Sequence, residues 1–193
     1  LGTGAGWQVS NLLFQNPLFV PDGAPRSFRL RLKGDERRWE ADIYARAPGA
    51  SDSQNKWQVC ASARVGRVAG DTPPVLPFAQ IEARCTIRQQ VAGGSSFLRS
   101  RQEDHLRFGP RFRPLKKLSL GASEALAHLQ LPAEFVADLE QFGLHPGMLD
   151  IATGCAMDLI PGYADQEVTT NLWAPLMYRG FRFHAPLTAE VVS

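Results

Sequence analysis

The stretch that decides the fold is Phe142-Gly143-Leu144-His145-Pro146-Gly147-Met148-Leu149-Asp150. Gly143 is typical of the residue after a helix end, and Pro146 is typical of a helix's first turn. Over residues 147–160, apolar side chains cover most of the circumference of a helix. The sequence therefore predicts a buried helix here, and this helix carries the carboxyl group of Asp150.

Asp150 is the most informative single residue, because it lies between Leu149 and Ile151 in a helix that is otherwise apolar. Burying a carboxyl group is costly unless it has a partner or a purpose. Desolvation would raise its pKa and keep it protonated near neutral pH, the state in which it can donate a proton to a leaving hydroxyl group. The pattern alone leaves a second interpretation equally open, in which Asp150 caps a loop or lies on a narrow exposed strip with Thr153 and Met157.

Alternating apolar and polar residues predict antiparallel strands on the amino-terminal side of this helix. The predicted strands lie at residues 28–32, 39–45, 57–65, 115–120 and 124–131. Residues 69–102 are interrupted by Gly93-Gly94-Ser95-Ser96 and show weak periodicity. We interpret them as a linker between two subdomains, with one short strand near residues 81–87.

The remaining patterns complete the predicted order of elements. Residues 133–142 repeat apolar side chains at helical spacing, which predicts a short amphipathic helix. Three further strands are predicted at residues 172–178, 180–184 and 188–192. No strand-helix-strand alternation is present, so an α+β fold in which antiparallel sheet wraps around a helix is favoured. We place the two subdomains at residues 1–92 and 93–193.

Bulk properties exclude several classes of function. The chain has 193 residues and a net charge of +2, and its 21 basic residues are spread along the sequence, so nucleic acid is not an expected partner. The three cysteines, Cys60, Cys85 and Cys155, have no metal-ligand spacing and are expected to be reduced thiols.

No apolar run comes close to the length of about 18 residues that a membrane-spanning helix needs. Gly2–Gly6 lacks the lysine of a phosphate-binding loop and is interpreted as a turn or junction. We expect a cytoplasmic protein and a piece of a longer polypeptide.

Several stretches resemble one protein family. Residues 142–150 are similar to the motif, often LHPALLD, that opens the second hotdog helix of dehydratase domains in modular polyketide synthases. Phe108–Phe112 is similar to the YGPxF or FGPRW segment of that family, and Asn16 through Arg26 resembles its PLxxPxGxxR strand pair. Trp57–Ala61 lies where the first hotdog of the family closes. The resemblance covers most of the chain in the right order, and it is most specific around Asp150.

The resemblance implies a double hotdog, two antiparallel sheets each wrapped around a helix, with the first helix absent from this sequence. It also implies dehydration of a 3-hydroxyacyl thioester to a 2,3-unsaturated thioester, with Asp150 as the general acid and a histidine as the base. The substrate would be held on the phosphopantetheine of an acyl carrier protein, and neither metal nor another cofactor is expected. Expected partners are the acyl carrier protein, neighbouring synthase domains and a second copy in a homodimer.

Two departures from the family pattern affect the predicted site. The family continues the acid motif as DxxxQ or DxxxH, whereas this chain has Gly154 at that place. A polar partner that orients the Asp150 side chain must then come from another part of the chain. The histidine of the family lies in an HxxxGxxxxP motif near the amino end, and nothing before Asn16 supplies it. His105, Gly109 and Pro114 have the required spacing, but they overlap the FGPRF segment, so we interpret the match as a coincidence and expect the base to lie outside this sequence.

Other residues are weaker site candidates. Besides Asp150, we predict that His145, Pro146, Gly154 and Tyr178 line the substrate pocket, although His145 could equally fix the turn before the helix. Cys155 could be a nucleophile, but a cysteine on an apolar helix usually serves packing. His128 and His184 lie in strand-like runs and carry no special signal.

Two alternatives to plain dehydration remain open. The first is a dehydratase-like enzyme that epimerises, shifts a double bond or closes an ether ring, which the unusual Gly154 favours. The second is a non-catalytic hotdog that binds an acyl chain or acts as a dimer scaffold.

Overall fold

A computed structural model describes residues 5–46, 56–69, 73–163 and 171–193. Two antiparallel sheets and few helices form two compact units, as an α+β class predicts. The first unit runs to Pro73 and also takes in Ala174–His184; the second consists of Pro74–Trp173 and Ala185–Ser193. This division differs from the predicted boundary after residue 92, because residues 74–92 belong to the second unit and β8, defined below, returns to the first.

The first unit is a five-stranded sheet in the order β2-β3-β4-β1-β8. Its strands are β1 (Ala5–Phe14), β2 (Phe28–Gly34), β3 (Arg38–Arg46), β4 (Trp57–Ala69) and β8 (Met177–Phe183). Neighbouring strands pair antiparallel throughout. The alternation-based predictions of β2, β3 and β4 are confirmed, and the described residues of this unit contain no helix.

Strand β1 is missing from the sequence-based predictions, and the structure shows why. Its register with β4 shifts between Ser10 and Leu13, and Asn11 adopts a positive φ of 51°. Such a bulge breaks the alternation of apolar and polar residues that marks a strand in sequence. The turn predicted at Gly2–Gly6 lies partly outside the described residues, but Ala5 and Gly6 begin β1 and are not a turn.

The two strands predicted at 172–178 and 180–184 are a single strand. β8 runs through Gly180 without interruption, whereas residues 172–176 are not in a strand. Pro175 has no backbone N–H to donate to a sheet ladder, which explains the late start. β8 pairs with β1 and forms one edge of the sheet.

The second unit contains a four-stranded sheet in the order β5-β6-β7-β9. Its elements are α1 (Phe78–Arg84), β5 (Arg88–Val91), β6 (Leu115–Leu120), β7 (Ala125–Gln130), α2 (Pro146–Gly154) and β9 (Glu190–Val192). The predictions of β6 and β7 are confirmed. The linker interpretation of residues 69–102, of which 70–72 are outside the described part, is wrong, since this segment supplies α1 and β5 to the unit. The strand predicted near 81–87 is instead α1, followed by a strand whose residues are mostly polar.

Helix α2 packs Met148 and Ile151 into the apolar core of this unit. The other buried members of that core come from the sheet and its flanks: Leu115, Leu118, Leu120, Ala127, Leu129 and Leu131. The helix ends at Gly154 instead of continuing to 160, and residues 157–159 form a separate 3₁₀ turn. The Thr153 hydroxyl donates back to the Leu149 carbonyl at 2.9 Å, and glycine is a poor helix former, so both residues favour an early end.

The amphipathic helix predicted at 133–142 is a 3₁₀ helix over Ala133–Glu140. The apolar spacing therefore indicates a helix correctly but does not distinguish the tighter winding. Among the described residues, no helix has both the length and the apolar character needed to cross a membrane.

Gly147 permits the close approach that seats α2. A Cβ at this position would lie 2.3 Å from the carbonyl oxygen of Arg111, which is backbone and cannot rotate away. We expect Gly147→Ala to lower the free energy of unfolding by about 1–3 kcal/mol, as overpacking does. Gly109→Ala is the control, since a Cβ there meets nothing within 4 Å. Urea unfolding measures both, and equal midpoints for the two variants would contradict the proposed fit.

Candidate functional site

Asp150 lies in the second turn of α2 and is half-buried. Burial raises the pKa of its carboxyl group above the ordinary value, and a hydrogen bond from the Gln102 side chain opposes part of that rise. The carboxyl group is therefore biased towards its protonated form while it keeps one fixed polar partner. The direction of this shift is the one that the sequence predicts for a buried carboxyl group at this position.

Gln102 belongs to a 3₁₀ turn, Arg101–Asp104, and its side chain is buried. The turn begins with a capping box in which the Ser100 backbone N–H donates to the Glu103 carboxylate at 3.2 Å. Two backbone N–H groups, those of His105 and Leu106, donate to the Gln102 carbonyl. Hydrogen bonds before and after Gln102 in the sequence thus fix the backbone of this turn.

Ion pairs with buried carboxylates connect the turn Arg101–Asp104 to other segments of the second unit. Glu103, whose side chain is 3% exposed, pairs with Arg113 at 2.7 Å. Asp158, at 5%, pairs with both Arg88 and Arg101 at 3.0 Å. Removing one partner from such a pair leaves an uncompensated buried charge, so these ion pairs fix the positions of the segments that they join.

A cavity of about 300 Å³ lies beside this arrangement, within the second unit; Gln102 lines it, whereas Asp150 does not. Gly154, Cys155 and Ile151 of α2 form one part of its wall, and Gln102 forms another. The remaining lining residues are Arg88, Gln90, Arg99, Ser100, Arg101, Asp104, Leu115, Leu118, Met157 and Asp158. The lining therefore combines apolar side chains with charged ones, a composition suited to a small polar ligand with an apolar part.

The predicted site residues fall into separate places. Gly154 lies one turn after Asp150 and lines the cavity, and its role in binding substrate stays a prediction. Pro146 is exposed in the first turn of α2, and Tyr178 lies on β8 in the other unit, where its ring packs edge-on against Phe14. Pocket roles for these two residues stay predictions. His105 is exposed at the end of the 3₁₀ turn and does not line the cavity.

His145 fixes the turn before α2. It is 1% exposed, its Nδ1 accepts a hydrogen bond from the Met148 backbone N–H at 3.4 Å, and its Nε2 lies 3.5 Å from the Asp138 carboxylate. Arg111 pairs with the same carboxylate at 2.7 Å and, with His145, lowers the pKa of Asp138. Of the two roles predicted for His145, these contacts support that of a helix cap.

Cys155 is half-buried, and burial raises the pKa of its thiol. A thiol that resists ionisation is a poor nucleophile, so the packing interpretation is favoured. Among residues 5–46, 56–69, 73–163 and 171–193, no cluster of three or more histidine, cysteine, aspartate or glutamate side chains could hold a metal ion.

Gln102 is the one site residue that sequence reasoning missed. It lies in the segment interpreted as a linker, where apolar periodicity is weak. A signal was nevertheless present, because Ser100-Arg101-Gln102-Glu103 matches the S-x-x-E pattern of a capping box and indicates an ordered helical turn.

Comparisons of the sequence with known proteins all identify polyketide synthases. A sequence model of the family described as "Polyketide synthase dehydratase N-terminal domain" matches residues 76–190, more than half of the chain. The chain is 26% identical over 162 residues to the polyketide synthase PksN of Bacillus subtilis. It is 29% identical over 202 aligned positions to a phenolphthiocerol/phthiocerol polyketide synthase protein of Mycobacterium tuberculosis. These alignments cover 83% and 96% of the chain, but it spans only 3% and 9% of those relatives.

Solved structures give the same answer for the fold. A dehydratase domain of a trans-AT polyketide synthase from Brevibacillus brevis superposes with a TM-score of 0.79 at 23% identity, covering 97% of this chain and 63% of the other. Two structures of the CurK dehydratase have TM-scores of 0.77 and 0.75 at 18% identity, each covering 100% of this chain and 65% of the other. Both are described as inactive mutants, one with histidine replaced by phenylalanine and one with aspartate replaced by asparagine. The predicted double hotdog fold is confirmed.

The cap formed by His145 makes a testable claim about stability. We expect His145→Ala to lower the free energy of unfolding by about 1–2 kcal/mol, because the Met148 N–H loses its acceptor. His145→Asn should restore much of that loss, since asparagine is a good N-cap residue. Urea unfolding of both variants checks this, and equal losses would show that ring volume, not the cap, matters.

The raised pKa of Asp150 predicts a pH-dependent effect on stability. A raised pKa means that the folded state holds the proton more tightly, so the carboxyl group costs stability as the pH rises from its ordinary value of 3.8 through the raised value. Asp150→Asn does not titrate. Its thermal midpoint should therefore rise relative to wild type as the pH increases from about 4 to about 8. A difference that stays constant across that range would contradict the raised pKa.

Proposed function

The chain belongs to the polyketide synthase dehydratase family, and on that premise we propose that it forms part of a domain that removes water from a 3-hydroxyacyl thioester. In this proposal Asp150 is the general acid, and the product is a 2,3-unsaturated thioester. The substrate is held on the phosphopantetheine of an acyl carrier protein. Neighbouring synthase domains and a second copy of the domain are the proposed further partners, and the cytoplasm is the proposed location.

The observation that carries the proposal is the burial of Asp150 on α2. Desolvation raises the pKa of this carboxyl group, which shifts it towards the protonated form that a general acid needs. A hydrogen bond from Gln102 lowers the same pKa in part, and a cavity lined by Ile151 and Gly154 lies against the same helix.

The proposed chemistry needs two groups on opposite sides of the substrate. A base removes the α-proton, the electron pair of that C–H bond forms the double bond, and the β C–O bond breaks as Asp150 donates its proton to the hydroxyl oxygen. Water is the leaving group. The α-proton is weakly acidic and hydroxide is a poor leaving group, so neither group alone is sufficient. Acid and base together complete the balance with no metal or other cofactor.

We propose that the base is a histidine outside residues 1–193. Within the chain, His145 caps α2, and His105 is exposed and does not line the cavity. The CurK dehydratase mutants lend support, since that protein is described as inactive when either a histidine or an aspartate is replaced. A histidine–aspartate pair of the same kind is proposed for the domain that contains this chain.

A second candidate is a related enzyme that epimerises, shifts a double bond or closes an ether ring. The observation that favours it is Gly154, which places no polar side chain one turn after Asp150. The Gln102 amide reaches the space beside Gly154, which weakens this argument. A non-catalytic acyl-binding or scaffold domain is the third possibility.

Replacing the proposed acid tests the function directly. In the full-length protein, Asp150→Asn is expected to lower kcat for dehydration of a 3-hydroxyacyl thioester by about 10²–10⁴-fold, the usual contribution of a general acid. Glu140→Gln, an exposed carboxyl-to-amide change, is the matched control and should leave kcat unchanged. Mass spectrometry of the acyl carrier protein measures the loss of water.

The products separate the candidates. An unshifted 2,3-enoyl product from the wild-type protein supports plain dehydration, whereas a shifted, cyclic or epimerised product would favour the second candidate. Full activity of Asp150→Asn would remove Asp150 from the mechanism. No turnover by the full-length wild-type protein would favour the non-catalytic domain.

A further inference from the structure

Position 154 and Asp150 share one face of α2. They are four residues apart, so their side chains project from neighbouring turns on the same side of the helix. Met148 and Ile151 point into the core, and the face with Asp150 and Gly154 lies beside that buried stripe. A polar side chain at position 154 would therefore lie next to the Asp150 carboxyl group. Gly154 leaves that place without a side chain.

The amide of Gln102 lies where such a side chain would project. A Cβ built on Gly154 would be 3.8 Å from Gln102 Nε2 and 3.9 Å from Gln102 Oε1. A hydrogen bond from the same side chain lowers the pKa of Asp150, against the rise that burial causes. One side chain from a different segment thus occupies the space beside position 154 and contacts the carboxyl group one turn earlier.

The segment that carries Gln102 is anchored on both sides of it. Arg101 pairs with the buried Asp158 at 3.0 Å, and Glu103, itself buried, pairs with Arg113 at 2.7 Å. Arg99 Nη2 also donates to the Glu103 carbonyl at 2.9 Å. A side chain held by such a fixed backbone loses little further freedom when it binds a partner, so the amide is well suited to orienting another group.

We propose that Gln102 is a positioning residue for Asp150, and that Gly154 makes room for its amide. This inference rests on the proposed function, because it assigns Gln102 a part in holding the acid. The amide N–H donates to a carboxyl oxygen of Asp150 and fixes the direction of the acidic proton. After proton transfer, the same donor stabilises the carboxylate that remains. Support for the acid thus comes from a separate turn of the chain instead of from the helix itself.

Moving the amide between the two segments tests the proposal in the full-length protein. Gln102→Ala should lower kcat by about 10–100-fold, the loss expected for a hydrogen bond to a charged group, with little change in KM. The double variant Gln102→Ala with Gly154→Gln places an amide on α2 in the vacated space and should recover much of the loss. Gly154→Gln alone crowds the two amides together and should also lower kcat.

The pH profile separates positioning from packing. The proposed acid must be protonated, so kcat falls as the pH rises through its pKa. Loss of a donor to the carboxylate raises that pKa, so Gln102→Ala should move the alkaline limb of the profile to higher pH, and the double variant should move it back. Gln102→Glu keeps the size of the side chain and tests the same point if the alanine variant fails to fold, because a neighbouring carboxylate also raises the pKa.

The outcomes for this inference and for the proposed function are distinct. If Asp150→Asn is inactive while Gln102→Ala keeps the wild-type kcat and pH profile, the positioning role is wrong and the acid stands. A lowered kcat with an unmoved alkaline limb and no recovery in the double variant means that Gln102 serves packing only, which also overturns the inference. In an Asp150→Asn background, Gln102→Ala should cause no further loss of kcat, and an additive loss would count against the proposal. Full activity of Asp150→Asn would contradict both the role of Asp150 as the acid and the role of Gln102 as its positioning residue.

Discussion

The packing of α2 against the four-stranded sheet is the constraint on which the rest of the second unit depends. Met148 and Ile151 must enter the core, and each residue of a helix is turned by about 100° from the one before. Once these two side chains are fixed, the directions of Asp150 and Gly154 are fixed as well. The carboxyl group is then half-buried beside the core, where it is partly desolvated but still within reach of the Gln102 side chain. Gly147 and His145 also fix the position of this helix. Gly147 allows its close packing against the backbone of Arg111, and the His145 cap sets the residue at which the helix begins.

Buried ion pairs supply the second layer of order around this helix. Asp158 pairs with Arg101 of the turn that carries Gln102, and Glu103 of the same turn pairs with Arg113. Such pairs contribute little net stability compared with apolar packing, yet breaking one is costly. Their value here is geometric, since they define one position for a turn that has few apolar contacts of its own. A site residue on a short 3₁₀ turn can then be as well ordered as one on a helix or strand.

Much of this architecture follows from the sequence, and the exceptions have physical causes. Strands such as β2 and β6 show clear alternation, and the α2 region shows a carboxyl group in an apolar helix, so both the antiparallel class and Asp150 could be predicted. β1 contains a bulge, β5 is mostly polar, and α2 stops early because of local hydrogen bonding and a glycine; none of these is visible as simple periodicity. Gln102 escaped notice for a different reason. Its importance depends on a contact across 48 positions of sequence with Asp150, and only the folded chain brings the two together.

The place of β8 in the first sheet has a consequence for how the chain is made. β1 has β4 on one side and β8 on the other, yet β8 begins only at Met177. During synthesis, β1 to β4 are complete long before β8 leaves the ribosome, and until then the outer edge of β1 has unpaired backbone groups. An open edge of this kind is a template for strands from other molecules. Folding of the first sheet thus depends on the pairing of β1 with β8, which are far apart in sequence, and such pairings form slowly and leave strand edges exposed in the meantime.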